Sequence, residues 1–161
     1  MSSLKGGMRV NYFLHSHCDG EKVVPNKLIK EITLAISAIN IDSTQKIASQ
    51  IRYSFLNELK CYGWSSEVSV SNGSDITITS LKNYVGLCLQ TGNMARIYAD
   101  LIKLQTLYLN DSINCAVIVL PSHTVAKTLG SNIANAKRLE RELNIFKKAY
   151  HVPTLIFALE E

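Results

Sequence analysis

No Cys-x-x-Cys pair, no glycine-rich phosphate loop and no apolar run of membrane-spanning length occurs in this 161-residue chain. Each absence removes a class of function. Without paired spacing, Cys18, Cys61, Cys88 and Cys115 do not frame a zinc site. Three of the four sit among apolar residues, as reduced core cysteines do in an intracellular protein, so a cytoplasmic location is expected. Without a glycine-rich loop there is no backbone cradle for a nucleotide triphosphate. No apolar stretch approaches the ~20 residues a bilayer demands. The opening MSSLKGGMRV lacks an apolar core, so neither a membrane segment nor a secretory signal is expected. Repeats, linkers and low-complexity segments are also missing. With 47% hydrophobic and 19% charged residues, the chain is expected to fold as a single domain over residues 1–161.

What is present begins with charge. The net +4 is modest but localised. Between Pro121 and Tyr150, six basic residues (Lys127, Lys137, Arg138, Arg141, Lys147 and Lys148) stand against two acidic ones, Glu140 and Glu142, which leaves the rest of the chain balanced. Such an excess beside a polar loop suits a phosphate backbone. The plainer reading, a solvated helix face, is the stronger one on charge alone.

Periodicity orders the elements. Met8 to His15 alternates as a strand, and DGEKVVPNK has turn chemistry. Leu28 to Ile39 is apolar at helical spacing, and Asn40 to Asp42 is read as a break. Ser43 is the expected N-cap of a helix striped by Ile47, Ile51, Phe55 and Leu59 and ending near Gly63. Glu67 to Val70, Asp75 to Lys82 and Tyr84 to Gln90 read as strands separated by SNGS and KN turns. A helix follows, striped by Met94, Ile97, Tyr98, Leu101, Leu104 and Tyr108. The continuous run INCAVIVL, Ile113 to Leu120, marks a strand covered on both faces. A short helix near Thr124 to Leu129, the loop GSNIAN, a helix striped by Leu139, Leu143, Phe146 and Tyr150, and a strand from Pro153 to Leu159 complete the order. The fold class this predicts is α/β (α+β): a mixed β-sheet flanked by helices on both faces.

Several local pieces, taken in order, resemble a known family. They are LKCYGW closing a helix, the hairpin ITSLKNYVGLCLQTGN (Ile78 to Asn93), RIYADLIKLQ, INCAVIVLP, GSNIAN and VPTLIFALE. Together they resemble the PD-(D/E)xK nuclease superfamily and, more narrowly, the BglII-like type II restriction endonucleases. The resemblance runs from about Gln45 to Leu159 and leaves residues 1–40 uncovered. It implies a restriction-endonuclease-like fold and metal-assisted phosphodiester hydrolysis. In that chemistry an Asp and a Glu on adjacent strands hold Mg²⁺, which polarises the phosphate and lowers the pKa of the attacking water.

The family hairpin has the form I-D-x-x-K-N-x-V-G-x-E-x-(Q/E/K). Lys82, Asn83, Val85, Gly86 and Gln90 fix the register without gaps. Thr79 then stands where the Asp belongs and Cys88 where the Glu belongs, with Gln90 at the water-positioning place. A hydroxyl and a thiol do not replace two carboxylates around a hard cation. Among substitute acids, Asp75 lies four strand residues from Thr79, roughly 13 Å away, while Glu67 and Glu58 are on neighbouring elements. The catalytic positions Thr79, Cys88 and Gln90 are therefore read as degenerate, and no cofactor is expected; Mg²⁺ enters only if the chain is an active endodeoxyribonuclease.

The HSHC cluster (His15, His17, Cys18) lacks a second half at zinc-ligand spacing. Cys88 as a thiol nucleophile has no recognisable His–acid order, and a buried filler is the stronger reading. The positions that approach DNA in the family correspond here to Arg96, Lys103, Lys127, Ser131, Asn132 and Asn135, with Lys137 and Arg138 continuing the basic patch. Arg and Lys neutralise phosphates, and Ser and Asn bond base edges. Asn132 is equally readable as a helix N-cap, and Arg96 with Asp100 as a surface i,i+4 pair. Three functions stay open. The first is a catalytically silent nuclease-fold protein that binds double-stranded DNA, for instance in a defence setting. The second is a protein-interaction scaffold or non-catalytic subunit. The third is an active type II restriction endonuclease with an atypical site. The family's habit of dimerising makes a homodimer compatible with each, and no membrane partner is expected.

Overall fold

The computed structural model describes residues 8–42 and 44–161. The chain begins with β1 (Met8–Arg9) and β2 (Asn11–His17), then α1 (Gly20–Val23), α2 (Asn26–Ser37), β3 (Asn40–Ile41) and α3 (Ile47–Cys61). It continues through β4 (Val68–Ser69), β5 (Thr77–Ile78), β6 (Ser80–Lys82), β7 (Val85–Leu89) and α4 (Ala95–Leu109). It ends with β8 (Cys115–Pro121), α5 (His123–Leu129), α6 (Ala136–Ile145) and β9 (Thr154–Glu160). A five-stranded sheet runs in the order β2-β9-β8-β7-β6, with β7, β8 and β9 parallel and both edges antiparallel.

The apolar runs become central strands because both faces are covered. On β8, Cys115, Val117 and Val119 pack with α2 and α3 (Ile32, Ile36, Ile51, Phe55), whereas Ala116, Ile118 and Leu120 pack with α4 and α6 (Ile97, Leu104, Leu139, Leu143). The same two-residue alternation divides β7: Val85, Leu87 and Leu89 join the first layer and Cys88 joins the second. Gly20 brings α1 against β9 so closely that a Cβ there would lie 2.2 Å from the Thr154 carbonyl oxygen, contact that no side chain tolerates.

Five expectations need correction. The first strand is two pieces, and β2 extends to His17. The DGEKVVPNK segment holds the short helix α1, after which Pro25 leads into α2. Asn40–Ile41 is no mere break, since it pairs with Met8–Arg9. The strand expected over Asp75 to Lys82 is interrupted at Thr79: β5 pairs with β4 in a small separate sheet, while β6 joins the main one. The Ser80 hydroxyl donates to the Ser65 carbonyl (2.7 Å) and the Leu81 N–H to the Ser65 hydroxyl (2.9 Å), anchoring the chain as it changes sheets. Finally, α6 stops at Ile145, so Phe146 is its exposed C-cap and Tyr150 is buried from a following turn. The N-cap expected at Ser43 lies outside the described residues. Asn83 and Tyr84, both at positive φ (46° and 63°), form the two-residue turn between the paired Lys82 and Val85.

Candidate nucleic-acid interface

The strand alternation that buries Cys88 also directs Gln90, two residues on, to the α4 side of the sheet. There it meets Asp100. Gln90 Nε2 donates to Asp100 Oδ2 at 2.7 Å, and Gln90 Oε1 accepts the Gly92 N–H at 3.0 Å, so both ends of the amide are engaged. The Thr79 hydroxyl sits at the break between β5 and β6 and accepts the Leu89 N–H at 3.0 Å, supplying a side-chain partner to β7. Burial pushes the Cys88 thiol far up, and the neighbouring Asp100 carboxylate pushes in the same direction, so the thiolate that nucleophilic chemistry needs is suppressed.

Thr79 and Gln90 open on a cavity of about 590 Å³ whose polar lining includes Glu67, Arg52, Arg96, Asp100 and Lys103. The sequence reading missed two of these. The surface pair read between Asp100 and Arg96 is not formed: Asp100 is only 7% exposed and its ion pair is with Lys103, Oδ1 to Nζ 3.9 Å. The signal was in the helix stripe: Ile97, Asp100, Leu101 and Leu104 share the buried face of α4 at three- and four-residue spacing. Burial raises the Asp100 carboxyl above its ordinary value, against the opposing pull of Gln90, Lys103, Arg52 and Arg96. Arg52, on α3, reaches the cavity by donating from Nη1 to the Leu89 carbonyl at 3.4 Å across 37 residues of sequence, a contact no local pattern signals. Of the substitute acids considered, Glu67 lines the cavity and accepts a long 3.5 Å bond from Thr77, Asp75 is exposed on the loop before β5, and Glu58 accepts from Tyr62.

Mg²⁺ demands several anionic or neutral oxygens free to turn toward it. Here both oxygens of the one buried carboxylate face Gln90 and Lys103, the amide oxygen of Gln90 is taken by Gly92, and two arginines face the same space. Among the described residues, no three His, Cys, Asp or Glu side chains converge to hold an ion. The residues present do not fit the metal that the resemblance implies.

The positions expected to face DNA fall into two connected groups. Arg96 and Lys103 are in the cavity just described, while Lys127, Asn132, Asn135 and Arg138 line a shallower depression of about 160 Å³. The loop between α5 and α6 is stitched to the segment after β7 by an Asn93–Ile133 bridge, by Met94 N–H to the Asn132 carbonyl (2.9 Å) and by Ala134 N–H to the Gly92 carbonyl (2.9 Å). Backbone pairing therefore joins the loop to the segment that carries Gly92 at the cavity. Ser131 and Lys137 are exposed on that loop and on the first turn of α6. Two residues are structurally occupied. Asn135, not Asn132, caps α6 by accepting the Arg138 N–H at 3.0 Å, and Asn132 instead takes a left-handed backbone, φ 54°. Arg138 is held by Glu142 (2.9 Å) and the Tyr98 hydroxyl (3.3 Å), so its charge is already partnered.

The HSHC cluster is a packing feature of the sheet edge. His17 stacks on Tyr150 and hydrogen-bonds its carbonyl at 2.8 Å, Cys18 Sγ lies 3.3 Å from the same ring nitrogen, and His15 faces Glu140 at 3.9 Å. Burial draws the His17 imidazole below its ordinary 6.5; the Tyr150 carbonyl opposes this, and His15 and Lys147 reinforce it. The neutral ring is the folded form. Its contribution to stability is complete above about pH 6.5 and is lost as pH falls through the lower folded value. Melting temperatures followed from about pH 7.5 to about pH 5 should show an acid limb that His17→Gln flattens; an unchanged limb would remove His17 as its source.

Among the described residues, no helix is long and apolar enough to cross a membrane. No curated protein matches the chain in sequence. Solved structures do match: restriction endonuclease BglII complexed with a DNA 16-mer aligns at TM-score 0.75 and 14% identity, over 96% of this chain and 77% of that one. Free BglII aligns at TM-score 0.66 and 13% identity, over 96% and 80%. The family described as restriction endonuclease BglII/BglIII matches residues 12–159, and so takes in β2, α1 and α2, which the resemblance from Gln45 onward leaves out. By that match across nearly its whole length, this chain belongs to the BglII/BglIII restriction endonuclease family.

Proposed function

We propose that this chain uses the restriction-endonuclease fold to hold DNA without hydrolysing it. The observation that carries this reading is the content of the cleft. Thr79, read at the family's Asp position, is a hydroxyl bonded to backbone, and Cys88, read at its Glu position, is a buried thiol, while two arginines and a lysine line the cavity on which Thr79 opens. Positive charge in a cleft recruits a phosphate backbone and supplies no means of activating water. The solved BglII complex contains DNA, and on this chain a duplex would lie across the cavity and the loop 130–135, which are joined by backbone pairing. A regulator or decoy in a defence setting is the role that fits a binder without cleavage.

Fluorescence anisotropy with a labelled duplex across a salt series is expected to give binding that weakens steeply as salt rises, because phosphate contacts release counterions. A supercoiled plasmid is expected to stay intact with Mg²⁺ or Mn²⁺. Nicking that disappears in Gln90→Ala would instead establish the active-enzyme reading. Failure to bind duplex even at low salt would shift the function to the scaffold reading, whose natural surface is the apolar groove lined by Ile102, Leu109 and Phe146.

A further inference from the structure

The cavity beside Gln90 differs from a metal site in the sign of its charge: Arg52, Arg96 and Lys103 face two carboxylates, Asp100 and Glu67. The geometry points to a metal-independent phosphate site, in which Arg52, Arg96 and Lys103 take the phosphoryl oxygens directly. This assignment rests on the DNA-binding reading and specifies which residues grip the backbone.

Five observations carry it. The net excess of one positive charge among the ionisable lining residues equals the charge of one phosphodiester, so occupancy neutralises the cavity. At about 590 Å³ the space falls within the roughly 300–1,000 Å³ of ordinary ligand sites, enough for a phosphate with its flanking sugar. Among the described residues neither arginine is in an ion pair. Arg52 spends one long bond on the Leu89 carbonyl, which anchors it and leaves most of its five N–H donors for a ligand. The buried Asp100 is satisfied by Gln90 at 2.7 Å and steadies Lys103 at 3.9 Å, a separation too long for a hydrogen bond, so the ammonium protons stay available. Gly92 contributes space: a Cβ there would come within 3.0 Å of Gln90 Oε1 and 3.3 Å of Arg96 Nη1. Guanidinium forks match phosphate oxygens in pairs, which is the recognition a metal would otherwise provide.

Glu67 makes the assignment discriminating. It is exposed at the cavity edge, so neutralising it should not disturb the fold. A metal site would weaken without that carboxylate. A phosphate site should tighten, by roughly threefold for removal of one solvent-screened like charge.

The test is anisotropy of the full chain with a short duplex in EDTA and in Mg²⁺, with and without 5′-phosphates, using Arg52→Gln, Arg96→Gln, Glu67→Gln and Lys127→Ala. Expected are equal affinities in EDTA and Mg²⁺, about tenfold weaker binding for each arginine variant, a salt slope lower by about one, and tighter binding for Glu67→Gln. Gain on adding the 5′-phosphate identifies a terminal phosphate as the ligand, and indifference to it identifies an internal phosphodiester. A requirement for Mg²⁺, or arginine variants with wild-type affinity while Lys127→Ala loses it, overturns the inference and leaves DNA binding standing through the loop. If the wild type binds no duplex, the DNA reading fails and thymidine 5′-monophosphate decides the cavity. Chemical-shift changes at Gly92 and Arg96 that vanish in Arg96→Gln keep the phosphate site, and their absence ends it.

Discussion

Glu31→Ala is expected to destabilise the protein by about 3 kcal/mol, the low end of what breaking a buried ion pair costs. Glu31 sits on the inward face of α2, 51 residues from Lys82 in sequence, and receives both oxygens' worth of bonds from its ammonium, at 2.7 and 3.0 Å. Trp64 Nε1 donates to the same carboxylate at 3.0 Å, and Lys82 also donates to the Tyr62 carbonyl. Both charged side chains are largely withdrawn from water, 16% and 9% exposed for Lys82 and Glu31. Removing the carboxylate strands an ammonium and an indole N–H with too few partners, and frees the β6–β7 turn from α2 and the end of α3. Urea denaturation should show the loss as a lower midpoint at unchanged slope. Replacing Lys82 as well, in Glu31→Ala/Lys82→Met, should recover part of the loss, because no unpaired charge then remains. A single variant within about 0.5 kcal/mol of wild type, or a double variant no better than the single, would show that this network does not hold the hairpin.

The paired change Thr79→Asp with Cys88→Glu should convert the cleft from indifference to metal into dependence on it. In the absence of metal, two new carboxylates beside Asp100 gather negative charge in a half-buried space, and like charges at that range oppose ionisation and folding. The melting temperature is therefore expected to fall. Adding Mg²⁺ or Mn²⁺ should restore it, since an ion at about a hundred times its dissociation constant contributes about 2.7 kcal/mol, or several degrees for a domain of this size. Wild type should show no such rise. Arg52, Arg96 and Lys103 remain nearby and will partly neutralise the new acids, so the metal effect should grow when Arg96→Gln is added. No metal-dependent shift and no heat in calorimetry would mean that Thr79 and Cys88 do not occupy the family's carboxylate positions.

Much of the architecture was readable from local pattern. INCAVIVL is a strand buried on both faces, as an uninterrupted, β-branched apolar run of that length favours. The KN turn and Gly86 marked the β6–β7 hairpin because backbone constraints are local. Boundaries were less secure where a side chain or a distant strand decides them. Thr79 reads as mid-strand, yet the chain switches sheets there under the hold of Ser65. Phe146 and Tyr150 continue the α6 stripe, yet the helix ends before both, and Tyr150 turns back onto His17.

The sequence by itself determined the order of elements and the two-residue turn of the hairpin, because a turn at Asn83 and Tyr84 between paired Lys82 and Val85 is a local preference. It also exposed the basic character of the stretch after Pro121. Only the tertiary structure decided which side chains line the cavity beside Gln90. Asp100 comes from a helix, Arg52 from another helix on the far side of the sheet, and Gln90 is held at the cavity by its bond to Asp100. Those contacts join residues separated by 10 and 37 positions, so they follow from how the layers pack and not from any segment's own preference.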